Sequence, residues 1–139
     1  MRSRDELEFD RLFALCTKGG RFEPNTDVHL DEADRSIVVH VELAGADAES
    51  LRVAVDESLL FIAGVRQRRD LSRHASLLRK EIQYGEFVTR VRLPAPIDEE
   101  GVTAVYRDGI LTIRLPLAKS QRFPLIRTEL RMTVKRTPA

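Results

Sequence analysis

Residues 104–116, which read AVYRDGILTIRLP, constrain the fold more than any other stretch of the chain. Asp108 and Gly109 predict a tight turn, because glycine readily adopts the positive φ angles that a two-residue hairpin loop requires. In residues 110–115 apolar side chains occupy every second position, which is the pattern of a half-buried strand. Pro116 ends this strand because it lacks the backbone N–H that a β-ladder needs. The stretch therefore predicts a β-hairpin with one apolar face turned inward.

Short alternating segments of the same kind recur along most of the chain, separated by turn residues at intervals of about 8–12 residues. They lie at residues 28–30, 37–43, 51–55, 59–63, 87–93, 102–106 and 110–115. Alternation, rather than continuous apolar runs, is typical of antiparallel sheets that have one solvated face. No segment between them predicts a helix. The predicted fold class is therefore all-β, a sandwich of two antiparallel sheets.

The composition excludes several classes of protein. A chain of 139 residues with 42% hydrophobic and 32% charged residues is long enough for one soluble domain with its own core. A net charge of +1 predicts no general attraction to nucleic acid or to anionic membranes. The apolar runs are too short for a transmembrane helix, and the N-terminus lacks the apolar segment of a secretory signal. The single cysteine, Cys16, rules out an intramolecular disulfide and fits a cytoplasmic location.

Residues 1–23 predict a short N-terminal arm. Within it, apolar residues stand among charges at spacings compatible with a one-sided helix: Leu7, Phe9, Leu12, Phe13 and Cys16. Gly19 and Gly20 would end such a helix. A helix of this length is marginal in water without a partner surface. The arm therefore either packs on the domain's own core or contacts assembly partners and clients, and the sequence leaves both interpretations open.

Residues 65–80 predict a long polar loop, which is uncommon inside a compact β domain and usually functional. It carries a cluster of basic residues: Arg66, Arg68, Arg69, Arg73, Arg79 and Lys80. Leu77 and Leu78 predict a short strand within it. Clustered arginines also suggest binding to nucleic acid phosphates, but no aromatic residue is interleaved to stack on bases. Nucleic-acid binding is therefore the weaker hypothesis, beside that of a plain solvated loop.

The sequence predicts no enzyme, cofactor or metal site. It contains no Gly-rich phosphate-binding motif, so it is not expected to bind ATP. The histidines His29, His40 and His74 are scattered, and none pairs with a cysteine at the spacing of metal ligands. Cys16 has no neighbouring histidine to activate it as a nucleophile.

Four motifs resemble those of the small heat-shock proteins, the α-crystallin-domain family, and are typical of its bacterial and plant branch. The first is the A-x-x-x-x-G-I-L-T-I-x-L-P pattern of residues 104–116. The others occur in the family's order, at residues 24–28 with 41–45, 60–64 and 84–94. Ala44 departs from the pattern, because the family usually has proline at that position. The resemblance covers residues 24 to about 116.

The resemblance implies an immunoglobulin-like α-crystallin sandwich over residues 24–117, followed by a C-terminal extension over residues 118–139. It implies an ATP-independent holdase that binds partly unfolded client proteins. It also implies a homodimer in which the 65–80 loop of one chain pairs with the edge of its neighbour. The candidate strand for that pairing is formed by Ser76, Leu77, Leu78, Arg79 and Lys80. Larger homo-oligomers are expected to build on this dimer, with neither nucleic acid nor membrane as a partner.

The resemblance further implies an anchor in the C-terminal extension that docks on an adjacent subunit. Phe123, Pro124 and Leu125 fit its position, because proline stiffens an extended segment and lowers the cost of ordering it. Candidate groove residues, which are equally plausible as core, are Leu51, Val53, Val55, Leu111 and Ile113. Candidate client contacts in the arm are Phe9, Leu12 and Phe13.

The sequence leaves two questions open, the role of the residues beyond the candidate anchor and the choice between alternative functions. Leu130, Met132 and Val134 alternate beyond the candidate anchor, which predicts either one more strand or a second docking segment. The alternative functions are a β-sandwich co-chaperone or adaptor with one defined partner, and a purely structural assembly protein.

Overall fold

A computed structural model describes residues 20–56 and 58–119 of the chain, together with the backbone of two short strands farther on. Its strands are β1 Thr26–Asp31, β2 Ser36–Glu42, β3 Arg52–Asp56, β4 Leu59–Arg66, β5 Gly85–Arg92, β6 Thr103–Arg107, β7 Ile110–Pro116, β8 Thr128–Glu129 and β9 Lys135–Arg136. The helices among the described residues are two 3-10 turns, Ala48–Ser50 and Glu99–Gly101. The all-β prediction is confirmed.

The strands form two sheets. The first sheet has the order β1-β2-β7-β6-β9, and the second has the order β5-β4-β3-β8. Neighbouring strands are antiparallel except for β6 and β9, which run parallel. The inward faces of the two sheets pack against each other, as the immunoglobulin-like sandwich requires.

The core lies between the sheets and is built from alternate residues of strands β2 to β7. In β7, for example, Leu111, Ile113 and Leu115 are fully buried while the residues between them are partly exposed. The largest fully buried side chains are Phe87, Ile37, Leu43, Leu60, Ile62, Leu111, Ile113 and Leu115. The period-2 pattern in the sequence therefore corresponds to the inward and outward faces of the sheets.

The hairpin between β6 and β7 closes with two residues of positive φ, Asp108 at 53° and Gly109 at 76°. Both values belong to the turn type that matches the twist of a hairpin. A Cβ atom on Gly109 would lie 3.1 Å from the Cα and Cβ atoms of Ala44. The backbone N–H of Leu43 donates to the carbonyl of Gly109 at 2.7 Å, and the Tyr106 hydroxyl donates to the Leu43 carbonyl. The most specific motif in the sequence thus joins two turns at one end of the sandwich.

Strand β4 runs three residues farther than the predicted segment 59–63, and its last two residues belong to the predicted loop. Val65 and Arg66 pair with the first residues of β5. The Arg66 side chain explains the extension, because its Nε donates to the Ala44 carbonyl at 2.9 Å and its Nη1 to the Gln83 carbonyl at 3.1 Å. Its guanidinium also lies 4.8 Å from the ring centre of Phe22, a favourable cation–π distance. These partners are distant in sequence, so local patterning cannot reveal them.

The C-terminal extension pairs with both sheets of the sandwich. Thr128 and Glu129 of β8 pair with Val55 and Ala54 of β3. Strand β9 pairs with Val105 and Tyr106 of β6 through Lys135 and Arg136. The outer edges of β3 and β6 are therefore covered by the chain's own tail. The alternating residues Leu130, Met132 and Val134, between these two strands, lie outside the described residues.

Candidate assembly and client-binding surfaces

Strand β1 is an edge with exposed apolar side chains. Val28 and Leu30 pair with the core residues Val39 and Ile37 of β2, so they point toward the inner side of the sheet. They nevertheless remain 46% and 50% exposed, because the second sheet does not extend over them. Among the described residues, no strand pairs with the outer edge of β1. A sheet edge of this kind offers free backbone N–H and C=O groups to an additional strand.

The other outer strand on this side, β5, is partly covered by the chain that precedes β1. The backbone N–H of Arg21 donates to the carbonyl of Glu86 at 2.7 Å, and Phe22 forms a parallel bridge with Phe87. The rings of Phe22 and Phe87 lie 5.4 Å apart in a tilted arrangement, which draws Phe22 into the core. Strand β1 is thus the more accessible of the two edges.

A groove with a cavity volume of about 520 Å³ lies between β1 and β5. It is lined by residues 23–26 and Val28 on one side and by residues 89–92 of β5 on the other. At its wall the Thr89 hydroxyl donates to a carboxylate oxygen of Glu23 at 3.3 Å. The groove is therefore open to solvent, and most of the residues that line it are polar or charged.

Arg114 of β7 forms ion pairs with two carboxylates in the hairpin that joins β1 to β2. Its Nη1 lies 3.1 Å from a carboxylate oxygen of Asp31 and 2.6 Å from one of Asp34. The hydrogen bond from Arg114, followed by one from the Ala33 backbone N–H, lowers the pKa of Asp31 below its usual value. The pKa of Arg114 is raised, chiefly by the hydrogen bond to Asp31.

The histidines and acidic residues of the described ranges 20–56 and 58–119 do not gather into a metal site. No three side chains of His, Cys, Asp or Glu lie together as metal ligands within these ranges. His29 and His40, which are separate in the sequence, come together across β1 and β2 with ring centres 5.3 Å apart. Within the part of the chain that is described, no helix is long and apolar enough to span a membrane.

The comparisons with known proteins agree with this architecture. The sequence profile of the Hsp20/alpha crystallin family matches residues 29–129, which cover most of the sandwich and reach β8. The chain belongs to the Hsp20/alpha crystallin family. This confirms the resemblance that the four motifs carry, and the family is one of small heat-shock chaperones.

Individual relatives support the assignment. Small heat shock protein C4 of Rickettsia felis is 33% identical over 93 residues, which are 67% of this chain but only 56% of the Rickettsia protein. Heat shock protein 16.0 from Schizosaccharomyces pombe matches with a TM-score of 0.63 at 31% identity, covering 76% of this chain and 96% of that chain. A small heat-shock protein from Xylella fastidiosa matches with a TM-score of 0.60 at 29% identity, covering 76% and 97%.

Residues 76–80, which were predicted to pair with a neighbouring subunit, form no strand within the single chain. Residues 67–84 form no strand, and they include Ser76, Leu77, Leu78, Arg79 and Lys80. Leu78 is 97% exposed, and Leu77 is 60% exposed. Arg79 and Glu81 approach to 3.9 Å, but both side chains are solvated and such a pair stabilises little. The pairing role of this segment stays a prediction.

The structure places the candidate groove residues in the main core. Leu51, Val53, Val55, Leu111 and Ile113 are all buried between the sheets. Their role in binding an anchor stays a prediction. The anchor Phe123, Pro124 and Leu125, and the arm contacts Phe9, Leu12 and Phe13, lie outside the described residues.

Proposed function

We propose that this chain is an ATP-independent holdase, which binds partly unfolded proteins and prevents their aggregation. The observation that carries the proposal is the exposed apolar surface of the β1 edge, together with the large apolar side chains that the loop of residues 67–84 exposes. A rigid sandwich that exposes such surface can bind many clients through adaptable contact. Membership in a family of small heat-shock chaperones supports the same function.

Two chains are proposed to form a dimer by exchange of their loops. Residues 76–80 of one chain would add a strand to the free edge of β1 in its partner. Because successive side chains of a strand point to opposite faces, one of Leu77 and Leu78 would lie on the face that carries Val28 and Leu30. Charge favours this pairing, because β1 carries Asp27 and Asp31 whereas the loop is basic. Completing an open edge with a second chain also removes a site of uncontrolled aggregation.

Larger homo-oligomers are proposed to build on this dimer. The solved relative from Xylella fastidiosa is described as having a distinct high order structure, which supports such assembly as a property to test in this chain. The proposed anchor is Phe123, Pro124 and Leu125, and the proposed client contacts in the arm are Phe9, Leu12 and Phe13. The proposal needs neither nucleic acid nor membrane as a partner, and its single cysteine fits a cytoplasmic location.

The basic loop gives less support to nucleic-acid binding than its composition suggests. Arg66 belongs to β4 and is held by the Ala44 and Gln83 carbonyls, so it is removed from the cluster. Retention of the protein on DNA at low salt, lost as salt rises, would restore that hypothesis.

Holdase activity is tested by light scattering of a heat-destabilised client, without nucleotide, against rising amounts of this protein. Suppression that approaches completion near equimolar ratios is expected. The variant Phe9→Ser with Phe13→Ser should suppress aggregation less, whereas Leu71→Ser, which removes an exposed apolar residue of the loop outside residues 76–80, is the matched control. A folded protein that fails to suppress at any ratio would contradict the proposal and leave an adaptor or structural protein as the better account.

A further inference from the structure

The outer face of the second sheet carries a second apolar cluster, separate from the core. Ala54 of β3, Phe61 and Ala63 of β4, and Val88 of β5 form it, with Leu59 packed at its side. Their register positions alternate with the core residues of the same strands, so these side chains point away from the first sheet. Strand β4, which reads LLFIAGVR, is therefore apolar on both faces.

This outer face is covered. Phe61 is only 4% exposed and Val88 only 7%. The side chains beside Phe61 on the same face are Ala54, Ala63, Leu59 and Arg90, and two alanines cannot shield a phenylalanine ring standing on an open sheet. The burial of Phe61 and Val88 therefore requires cover from other parts of the chain. The described loop of residues 67–84 does not supply it, because its apolar side chains are themselves exposed.

Two segments outside the described residues, residues 5–16 of the N-terminal arm and residues 120–127, are long enough to reach across the face. They differ in the sign of their charge. The outward positions around the cluster carry the acidic residues Asp56 and Glu86 as well as the exposed arginines Arg52, Arg90 and Arg92. Of these arginines, Arg90 and Arg92 lie directly opposite Phe61 and Leu59. Residues 120–127 contain Arg122 and Arg127 and no acidic residue, so these arginines would repel them. Residues 5–10 of the arm read DELEFD and would be attracted.

The geometry of the arm fits as well. Gly20 enters the sandwich against β5, where a Cβ atom would lie 2.9 Å from the Glu86 carbonyl oxygen, so the arm begins at the margin of the covered face. A helix over residues 5–16 would be about 18 Å long. The strand segment from Leu59 to Val65 beneath it spans about 20 Å. In such a helix Phe9, Leu12, Phe13 and Cys16 share one stripe, and Glu6 and Glu8 flank it.

We propose that the outer face of β3, β4 and β5 is a docking surface for the chain's own N-terminal arm, residues 5–16. The apolar stripe of the arm packs on Phe61, Ala63 and Val88, and its acidic residues meet Arg90 and Arg92. This proposal takes the first of the two interpretations that the sequence left open for the arm, with the contact on the outer face of the sheet rather than in the core. Phe9, Leu12 and Phe13 then contact clients after the arm leaves this face.

Cys16, the only cysteine of the chain, reports on the contact through its rate of reaction with an aromatic disulfide reagent. In the folded full chain the thiol should react at least about 10-fold more slowly than in denaturant, since docking at 1.4 kcal/mol or more gives that factor. Reaction at the unfolded rate would overturn the proposal. Protection that rises with protein concentration would also overturn it, because the arm would then be docking on another copy.

Charge reversal tests the specific surface. Arg90→Glu with Arg92→Glu should accelerate labelling several-fold, and adding Glu6→Arg with Glu8→Arg should restore protection. Arg68→Glu with Arg69→Glu, the same charge change on the exposed loop, is the matched control and should leave the rate unchanged. Equal rates in the Arg90/Arg92 variant and the control would overturn the proposal. Loss of protection in Phe123→Ser with Leu125→Ser would assign the surface to the tail instead.

Discussion

The two sides of the sandwich differ in whether their edge strands are paired within the chain. On one side, β3 and β6 are paired with β8 and β9 of the chain's own tail. On the other side, β1 is open among the described residues, and Val28 and Leu30 are about half exposed. Open edges are sites of unwanted association, so natural proteins cover them or charge them. One side of this chain is closed by the same molecule, and the acidic edge on the other side is available to a second molecule.

The largest expected effect comes from removing the segment proposed to fill the open edge. Replacing residues 70–80 with a short Gly/Ser linker should convert dimers to monomers, because β1 then has no strand to receive. The sandwich should keep its secondary structure, since the described residues of this segment make no strand contact within the chain. Light scattering coupled to size-exclusion chromatography measures the mass. A dimer that survives the deletion would show that the loop is not the exchanged element.

The next largest effect comes from the edge itself. Val28→Lys with Leu30→Lys should weaken dimerisation at least about 10-fold, corresponding to 1.4 kcal/mol, because two ammonium groups would be desolvated against a basic loop. The substitutions should change the folding stability little, since both side chains are half exposed. Leu71→Lys with Ile82→Lys, at loop positions outside residues 76–80, is the matched control. Equal dissociation constants in the two variants would contradict the role of β1.

Some features of the fold could be predicted from the sequence, and others could not. The hairpins and long strands could be predicted because alternation and turn residues are local signals, as in residues 104–116. The exposed loop was predicted for the same reason. By contrast, the meeting of His29 with His40, and the bonds of Arg66 to the Ala44 and Gln83 carbonyls, depend on register between distant strands. No local pattern encodes that register, so these contacts were missed.

The outer apolar face and the tail show a second limit. Residues 59–63 were predicted as a strand without a statement about its two faces, and the structure buries Phe61 and Ala63 on the side away from the core. The run LLFIA is apolar at consecutive positions, and this was the available signal that both faces are covered. The tail was predicted to form a strand or a docking segment, and the structure places β8 and β9 on either side of the alternating residues. Which edge each strand joins could not be deduced from alternation alone.

A smaller effect is expected on the closed side. Ending the chain after Arg127 removes β8 and β9 and should lower the melting temperature by a few degrees, about the shift that 1 kcal/mol produces in a domain of this size. Hydrogen exchange should accelerate at Ala54, Val55, Val105 and Tyr106, whose strands lose their neighbours. Dimer mass should stay the same, because β1 is untouched. Unchanged exchange in β3 and β6 would contradict closure by the tail.

The smallest expected effect concerns acid stability of the hairpin that carries β1. The pKa of Asp31 is lowered in the folded protein by its bond to Arg114, so its stabilising contribution is full above the ordinary carboxyl pKa of 3.8. That contribution is lost as the pH falls through the lowered value. The difference in melting temperature between wild type and Asp31→Asn should be constant from pH 7 to about 5 and shrink below about 4. Glu32→Gln, which leaves the bond to Arg114 intact, is the control. A difference that is independent of pH would contradict this account.

The central claim is that β1 receives the loop of a second copy, and hydrogen exchange followed by mass spectrometry at two protein concentrations tests it most directly. Below the dissociation constant of the dimer, backbone amides of Thr26–Asp31 and of residues 76–80 should exchange rapidly. Above that constant, both segments should gain protection together, while β3 and β6 stay unchanged because the tail already covers them. Association that protects β3 and β6 instead, and leaves Thr26–Asp31 exchanging as before, would contradict the claim.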